Sequence, residues 1–287
     1  MPAATSSQTV SDALHTATAM LSRTSSSPRL DAELLLEHVT GLSRTDFRAH
    51  PERELPPAAG WSFQQLVKRR LRGEPVAYIR EQQEFWSLLL EVTPAVLVPR
   101  PETELVVERA LAHLDRDAPT RVADLGTGSG AIALAVASER PGAGVLGVDA
   151  SKEALYIAVR NATRLRLSNA TFVCGSWFEP LAGQQFDLIA ANPPYIAMDD
   201  PELDANVRRY EPVGALFAGR TGLEALTTII AEAPRYLRPQ GWLVLEHGWR
   251  QGAAVRDRLV RHGFTHVRSH ADLAGCERVT EGQIGSG

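Results

Sequence analysis

Four consecutive residues, Asn192-Pro193-Pro194-Tyr195, have side chains and backbone groups suited to holding an –NH₂ group. They follow a short apolar run, 186–191, which predicts a buried strand. Proline has no N–H, so the backbone here offers carbonyl oxygens without competing donors. The Asn192 side-chain oxygen and the Pro193 carbonyl can therefore each accept one hydrogen of the same amine or amide. Tyr195 can stack on a planar group beside them.

An amide or an exocyclic amine has a delocalised lone pair and is a weak nucleophile. Holding both of its hydrogens leaves the lone pair directed at an electrophile, so that transfer depends on positioning more than on a strong base. A sulfonium methyl group is a suitable electrophile, and the motif predicts methyl transfer from S-adenosylmethionine. Asn192, Pro193 and Tyr195 are the predicted catalytic residues, and Pro194 joins them in binding the substrate. A strand-ending turn without function is the alternative for such a motif.

A glycine-rich segment, 124–131, lies between a predicted strand and a predicted helix, and reads Asp-Leu-Gly-Thr-Gly-Ser-Gly-Ala. Glycines let the backbone turn sharply and approach a ligand closely. Asp149 ends the next predicted strand, where a carboxylate can accept both hydroxyls of a ribose. The predicted cofactor-binding residues are Gly126, Thr127, Gly128, Ser129, Gly130, Asp149, Trp177 and Asn192. The segment also satisfies the dinucleotide fingerprint, so by itself it leaves S-adenosylmethionine and a nicotinamide cofactor open. Trp177 can cover an adenine ring or belong to the core.

The elements around these motifs alternate between strand and helix from residue 121 onward. Strands are predicted at 121–125, 145–149, 170–174, 186–191 and 242–246, and helices at 131–140, 151–165, 223–237 and 251–262. This order predicts an α/β fold with a mostly parallel, doubly wound sheet, closed by an antiparallel pair at 266–271 and 277–282. Residues 1–73 show only helical periodicity, and residues 74–98 suggest a hairpin. We therefore predict a helical domain at 1–73, a β-hairpin linker at 74–98 and a catalytic domain at 99–287.

Composition restricts the class of protein. The chain has 287 residues, a net charge of −4 and two cysteines, which suits a cytoplasmic protein without a disulfide framework. The first ten residues lack the pattern of a signal peptide, and no apolar run is long enough to cross a membrane. His262, His266 and His270 recur every four residues, but Gly263 and the β-branched residues favour a strand, so no metal site is predicted.

The motifs resemble the release factor glutamine methyltransferase family, also called PrmC or HemK. The resemblance includes Pro99-Arg100-Pro101-Glu102-Thr103-Glu104, which is more particular to this family than the glycine segment or the tetrapeptide. Further matching segments are 28–35, 73–79, 84–86, 211–212, 222–223 and 245–248. Ser176 departs from the family pattern, which commonly has Asp before the tryptophan.

The resemblance implies N5-methylation of the glutamine side chain in the Gly-Gly-Gln motif of bacterial class 1 peptide-chain release factors. It also implies a helical N-terminal domain joined by a hairpin to a Rossmann-like class I methyltransferase domain, with Phe85 and Arg100 helping to enclose the substrate. Release factors are the expected partner, and we expect a monomer without stable nucleic-acid or membrane binding.

Three alternatives are consistent with parts of the sequence. An adenine-N6 DNA methyltransferase uses a similar tetrapeptide, but it also needs a basic recognition region. The only dense cationic run, Lys68-Arg69-Arg70-Leu71-Arg72, reads more readily as a solvated helix face. A nicotinamide oxidoreductase explains the glycine segment and leaves the tetrapeptide without a role. The third alternative is a non-catalytic module that binds S-adenosylmethionine.

Overall fold

The computed structural model describes residues 8–285, so the outermost ends of both predicted terminal domains, 1–7 and 286–287, lie outside the described residues. The chain divides into two compact units, and the boundary falls between Glu81 and Gln82. Each unit has its own apolar core.

The first unit is helical. Its helices are α1 (Val10–Leu21), α2 (Pro28–Thr40), α3 (Arg44–Ala49), α4 (Pro57–Leu71) and α5 (Val76–Arg80). The Thr9 and Asp12 side chains form a capping box at the start of α1, and α2 starts at a proline, whose missing N–H has no partner to lose there. Leu14, Leu35 and Phe63 are among the residues that fill the core.

Two cations of the predicted basic run on α4 are paired inside this unit. Arg70 lies 2.7 Å from the buried Asp31 carboxylate, and Arg69 hydrogen-bonds Glu74 through Nε at 2.9 Å. Most of their charge is therefore balanced by neighbouring acids. Such pairing is typical of a helix face with a structural role. It leaves less positive charge to bind the phosphate backbone of a nucleic acid.

The segment 74–98, predicted as a hairpin linker, is divided between the two units. Its first part belongs to the helical unit, because α5 follows Pro75 directly and Ile79 is buried in the core of that unit. The hairpin itself is shorter, with strands β1 (Gln82–Phe85) and β2 (Leu88–Glu91), and it belongs to the second unit. The five-residue helix is too short to show the 3.6-residue periodicity clearly.

The second unit contains a seven-stranded sheet. Its strands are β3 (Arg121–Leu125), β4 (Gly144–Asp149), β5 (Ala170–Cys174), β6 (Phe186–Ala191), β7 (Leu237–Glu246), β8 (Phe264–Ala271) and β9 (Glu277–Ile284). The spatial order is β5-β4-β3-β6-β7-β9-β8, with β9 antiparallel to both β7 and β8 and the other pairs parallel. The predicted α/β class and the antiparallel closing pair are both confirmed.

The second unit also contains helices, most of which pack against this sheet. They are α6 (Glu104–Ala112), α7 (Ala131–Glu139), α8 (Lys152–Leu165), α9 (Ala205–Tyr210), α10 (Val213–Leu216), α11 (Glu224–Glu232) and α12 (Gly252–Arg261). One prediction is wrong at its end. The helix expected to continue to Leu237 stops at Glu232, because Pro234 cannot continue it, and a 3₁₀ turn at Ala233–Arg235 leads into β7.

Two further observations concern the histidines of β8 and the character of the helices. His266 and His270 lie in strand β8, as predicted, and no cluster of metal-ligating side chains occurs between residues 8 and 285. In the same part of the chain, no helix combines the length and apolar character that crossing a membrane requires.

Candidate active site

The parallel strands bring the predicted motifs to one edge of the sheet. β3, β4, β5, β6 and β7 run in the same direction, so their carboxyl ends lie side by side. The segments that leave these ends carry the glycine-rich turn, Asp149, Trp177 and the tetrapeptide. Such an edge, where neighbouring connections separate, is where open α/β sheets bind ligands.

The glycine-rich turn has a backbone that side chains would disfavour. Gly126 and Gly130 adopt φ of 73° and 84°, in the left-handed region. A Cβ on Gly130 would also lie 3.0 Å from the Leu134 side chain at the start of α7. The turn is joined to β4, because the N–H groups of Gly126 and Thr127 both donate to the Val148 carbonyl, at 2.8 and 2.9 Å.

The buried carboxyl group of Asp124 stabilises the glycine-rich turn through hydrogen bonds. Asp124 is 1% exposed and accepts hydrogen bonds from the Thr127 hydroxyl at 2.7 Å and from the Ala133 N–H at 3.1 Å. Burial raises the pKa of Asp124 to about 7, and these two hydrogen bonds oppose the rise. Asp124 thus ties the turn to the first residues of α7.

Asp149 lies at the end of β4 with both oxygens hydrogen-bonded to backbone. Its Oδ2 accepts from the Gly128 N–H and its Oδ1 from the Ser151 N–H, each at 2.9 Å. Each carboxylate oxygen has a second lone pair, so the group keeps acceptor capacity for the two hydroxyls of a ribose. The backbone bonds fix the direction in which that capacity is offered.

Trp177 has the position required to cover a ring in this cleft. It adopts a left-handed φ of 46°, which is uncommon for a bulky residue. Its ring lies 3.6 Å from the point where a Cβ on Gly126 would be. Ser176, which replaces the aspartate common in the family, also lines the cleft, and its N–H donates to Glu179 Oε2 at 3.0 Å.

The cleft has a volume of about 390 Å³, within the range of small-molecule sites. The predicted cofactor residues that line it are Gly126, Thr127, Gly128, Ser129, Asp149, Trp177 and Asn192. Gly130 does not line it and caps α7 instead. A ribose acceptor, a glycine turn that admits close approach and an aromatic ring occur together, and these residues fit an adenosine-containing cofactor.

The tetrapeptide leaves β6 with two residues facing the same cleft. Asn192 and Pro194 line it, whereas Pro193 is buried and is absent from the lining. The Asn192 Nδ2 group donates to the Thr103 hydroxyl oxygen at 3.1 Å. Because the nitrogen of this amide faces Thr103, the Asn192 side-chain oxygen does not contact Thr103. That oxygen is the group expected to meet the substrate.

Tyr195 turns away from the cleft. Its ring packs against the core, and its hydroxyl donates to Glu246 Oε1 at 3.1 Å. Burial, together with the neighbouring Glu246 carboxyl, raises the pKa of Tyr195 well above its usual value, so the phenol stays protonated. Tyr195 therefore anchors the tetrapeptide in this structure, where the sequence suggested a stacking surface.

A hydrogen bond from Gln251 holds the backbone of the tetrapeptide. Gln251 Nε2 donates to the Tyr195 carbonyl at 3.0 Å and to the Gly222 carbonyl at 3.2 Å. Gly222 adopts φ of 74°, and a Cβ there would collide with the Tyr195 carbonyl oxygen. Only glycine allows this approach of the two backbones.

Arg100 lines the cleft, and Phe85 does not. The Arg100 guanidinium is paired with the buried Glu211 carboxylate, which also accepts the Val98 N–H at 3.2 Å. Phe85 is 1% exposed and packs in the core with Leu90 and Val106. The expectation that Phe85 encloses the substrate is not met in the structure, because its strand directs the ring inward.

Some residues that shape the site were not identified as site residues from the sequence. Thr103 and Glu246 contact the tetrapeptide side chains. Both lie in segments that matched the family pattern but received no role from the sequence. Asn161 on α8 is completely buried and donates to the Ser129 and Glu91 carbonyls, at 2.9 and 3.0 Å. It thereby joins the glycine turn to strand β2. A polar residue on an apolar helix face was the only available signal.

Two family models match the chain. One is described as the PrmC N-terminal domain and matches residues 12–80, and the other as a methyltransferase domain and matches residues 116–283.

Solved structures share the fold at low sequence identity. A methyltransferase from Pyrococcus furiosus has a TM-score of 0.53 and 20% identity, covering 77% of this chain and 99% of that one. The 16S rRNA N2 G1207 methyltransferase of T. thermophilus, solved with AdoMet and guanosine, has a TM-score of 0.52 and 18% identity, covering 71% of this chain and 49% of that one. These similarities establish the methyltransferase fold.

Curated relatives are much more similar. The release factor glutamine methyltransferase of Xylella fastidiosa (strain Temecula1) is 52% identical over 89% of this chain and 93% of its own length. Those of Pseudomonas aeruginosa and Escherichia coli (strain K12) are 52% and 47% identical, each over 90% of this chain and over 94% and 93% of their own lengths. With this identity along nearly the whole chain, the protein belongs to the release factor glutamine methyltransferase family.

Proposed function

We propose that this protein methylates the side-chain amide nitrogen of a glutamine in class 1 peptide-chain release factors, in their Gly-Gly-Gln motif, with S-adenosylmethionine as the methyl donor. One observation carries the proposal. The cofactor-type residues and two residues of the tetrapeptide, Asn192 and Pro194, line a single cleft, so a bound cofactor and an amide can meet there. The curated relatives, which have this activity in their names, support the choice of substrate.

The first part of the chemistry is to hold the cofactor. The glycine turn, the Asp149 carboxylate and Trp177 would hold its adenosine part, since they offer close backbone approach, hydroxyl acceptors and an aromatic face. When bound, S-adenosylmethionine supplies an electrophilic methyl group. The remaining task of the protein is to present a weakly nucleophilic nitrogen in a productive geometry.

Asn192 is the residue that we assign to this task. Its side-chain oxygen accepts one N–H of the glutamine amide, and we assign the other to the backbone carbonyl of Pro193, whose ring is buried outside the lining. Pro194 and Arg100 line the cleft beside it. The role of Tyr195 is to hold the tetrapeptide in place through Glu246. Attack requires no strong base, because holding both N–H groups directs the delocalised lone pair at the methyl group, and one of the two amide protons is lost once the N–C bond has formed.

The helical unit supports a proposal about the partner. Its match to the PrmC N-terminal domain is separate from the catalytic match, and we propose that it contributes to docking a release factor. We also propose that the protein acts as a monomer in the cytoplasm, without stable nucleic-acid binding. Pairing of Arg69 and Arg70 within the unit argues against a DNA substrate.

The test is a methyl-transfer assay with labelled S-adenosylmethionine. Three substrates are compared, namely a class 1 release factor, the same factor with the Gly-Gly-Gln glutamine replaced by alanine, and duplex DNA. Label on the unmodified factor alone is the expected result. Label on DNA alone, or equal label on the alanine variant, would refute the proposal.

The residue assignment is tested with Asn192→Ala. We expect turnover to fall by about 100-fold or more, because the amide loses its positioning contact. Affinity for the cofactor product, S-adenosylhomocysteine, should change by less than about 3-fold, since the contacts of Asp149 remain. Equal losses in turnover and affinity would show that Asn192 serves the cofactor instead.

A further inference from the structure

A buried carboxyl lies behind the tetrapeptide, at the end of the adjacent strand. Glu246 is the last residue of β7, which pairs with β6, and it is 1% exposed. Its Oε1 accepts the Tyr195 hydroxyl at 3.1 Å. Burial raises the pKa of Glu246 to about 7, and hydrogen bonds from Thr103 and Tyr195 oppose the rise. A carboxyl is costly in such a place, so its presence calls for a specific role.

Thr103 connects this carboxyl to Asn192. Thr103 is 3% exposed, and its hydroxyl is a hydrogen-bonding neighbour that lowers the pKa of the Glu246 carboxyl. The Thr103 oxygen also accepts the Asn192 Nδ2 hydrogen bond at 3.1 Å. The other carboxyl oxygen, Oε2, is buried without a partner of good hydrogen-bond geometry among residues 8–285. A buried carboxylate oxygen without a partner needs a donor, and the neighbouring Thr103 hydroxyl can supply one.

This chain of contacts has only one consistent direction while Glu246 is ionised. A carboxylate accepts hydrogen bonds and donates none, and a threonine hydroxyl has a single hydrogen to give. If that hydrogen goes to Glu246, the Thr103 oxygen can only accept. The group that faces it must then be the –NH₂ of Asn192, and the Asn192 oxygen is left for the cleft that the residue lines.

We propose that Glu246 and Thr103 are positioning residues, which fix the orientation of the Asn192 amide so that its oxygen, and not its –NH₂ group, meets the substrate amide. The inference rests on the proposed function, since it assigns how that function selects an –NH₂ substrate. Without the two residues, the amide of Asn192 has no fixed orientation. In the reversed orientation, two –NH₂ groups face each other, and both lack an acceptor.

The sharpest test compares Thr103→Val with Thr103→Ser. Valine keeps the shape of the buried side chain and removes the hydroxyl, while serine keeps the hydroxyl. We expect Thr103→Val to lower kcat about 100-fold, with less than about 3-fold change in S-adenosylhomocysteine affinity measured by calorimetry. Thr103→Ser should retain kcat within about 3-fold of the unmodified enzyme, because it preserves the direction of the hydrogen bonds.

A second variant tests the carboxyl without depending on valine at position 103. In Glu246→Gln, the –NH₂ of glutamine must face either the Tyr195 or the Thr103 hydroxyl, and that hydroxyl loses its acceptor. We expect kcat to fall about 10-fold with cofactor affinity unchanged.

The outcomes separate the two proposals. If the unmodified enzyme does not label the release factor, the proposed function fails before any variant is measured. If it does, and Thr103→Val retains kcat within about 3-fold, the positioning role is overturned. Equal loss of kcat in Thr103→Val and Thr103→Ser also overturns it, because packing and not the hydroxyl would then be responsible. If Glu246→Gln has full activity, the Glu246 carboxylate has no positioning role, and the proposal is overturned for that residue.

Discussion

Gly222 offers a prediction that separates backbone strain from contact with the active site. It adopts φ of 74°, and its missing Cβ leaves room for the Tyr195 carbonyl. A Cβ here would also lie 3.0 Å from Gln251 Nε2 and 3.1 Å from the Ala197 nitrogen. Gly222→Ala must therefore push the tetrapeptide backbone away or distort its own turn.

The matched control is Gly183→Ala. Gly183 has a similar φ of 76°, but nothing lies within 4 Å of the position of its Cβ. Left-handed backbone costs an alanine about 1 kcal/mol at either position. At Gly222, the strained hydrogen bond from Gln251 to the Tyr195 carbonyl adds about 1 kcal/mol, and the steric overlap adds about another 1 kcal/mol. The total free-energy cost of Gly222→Ala is thus about 3 kcal/mol, against about 1 kcal/mol for the control.

The assay combines thermal unfolding with methyl transfer. For a unit of this size, the difference of about 2 kcal/mol corresponds to a Tm about 4–8 °C lower in Gly222→Ala than in Gly183→Ala. Turnover should fall at least about 10-fold in Gly222→Ala and stay near that of the unmodified enzyme in the control. Equal Tm losses in the two variants, or full turnover in Gly222→Ala, would refute the reasoning.

Two further predictions concern carboxylates. Asp149→Asn places an –NH₂ against one of the backbone donors at 2.9 Å, so S-adenosylhomocysteine affinity, measured by calorimetry, should fall at least about 10-fold. Asp187→Asn is the control, because the Asp187 carboxylate also accepts a backbone N–H but lies at the opposite end of the sheet. It should leave the affinity for S-adenosylhomocysteine unchanged. An equal loss of affinity in both variants would contradict the assignment of Asp149 to the cofactor. Burial of Glu281 would raise its pKa, but hydrogen bonds from His113 and Arg109 hold it at about 2. Its stabilisation is therefore full above the ordinary pKa of about 4.5 and is lost as pH falls towards 2. In urea unfolding at pH 7, Glu281→Gln should be less stable than the unmodified protein by about 2–3 kcal/mol, and this difference should close below pH 4.5. The control, Glu277→Gln, changes a half-exposed carboxylate and should cost at most about 1 kcal/mol. A difference in stability that does not depend on pH would be inconsistent with the mechanism.

The strands and the two motifs could be predicted because their signals are local. β3 and β6 were predicted with the bounds that they have, since each is a short apolar run beside a motif. The antiparallel pair β8 and β9 was also predicted, although each strand extends beyond its predicted limits. The end of α11 was missed, because apolar residues at helical spacing continue past Pro234 to Leu237.

The roles of individual side chains were less predictable. Tyr195 and Phe85 are aromatic residues in recognisable motifs, yet the first bonds a buried carboxyl and the second fills the core. Whether an aromatic ring faces a ligand or the interior depends on neighbours that are distant in sequence. A motif specifies which groups are present, and the surrounding strands specify where they point.

The sequence alone determined the α/β class, the glycine turn, the tetrapeptide and the family resemblance, because glycine, proline and apolar periodicity act over a few residues. Only the tertiary structure decided which residues act on Asn192. Thr103 precedes α6, Glu246 ends β7, and the tetrapeptide follows β6, so 89 residues separate Asn192 from Thr103. The tetrapeptide and Glu246 lie together because β6 and β7 are parallel neighbours, and Thr103 joins them through its hydrogen bond with Asn192. The direction of a side chain's hydrogen bond is set by such contacts, which no local pattern encodes.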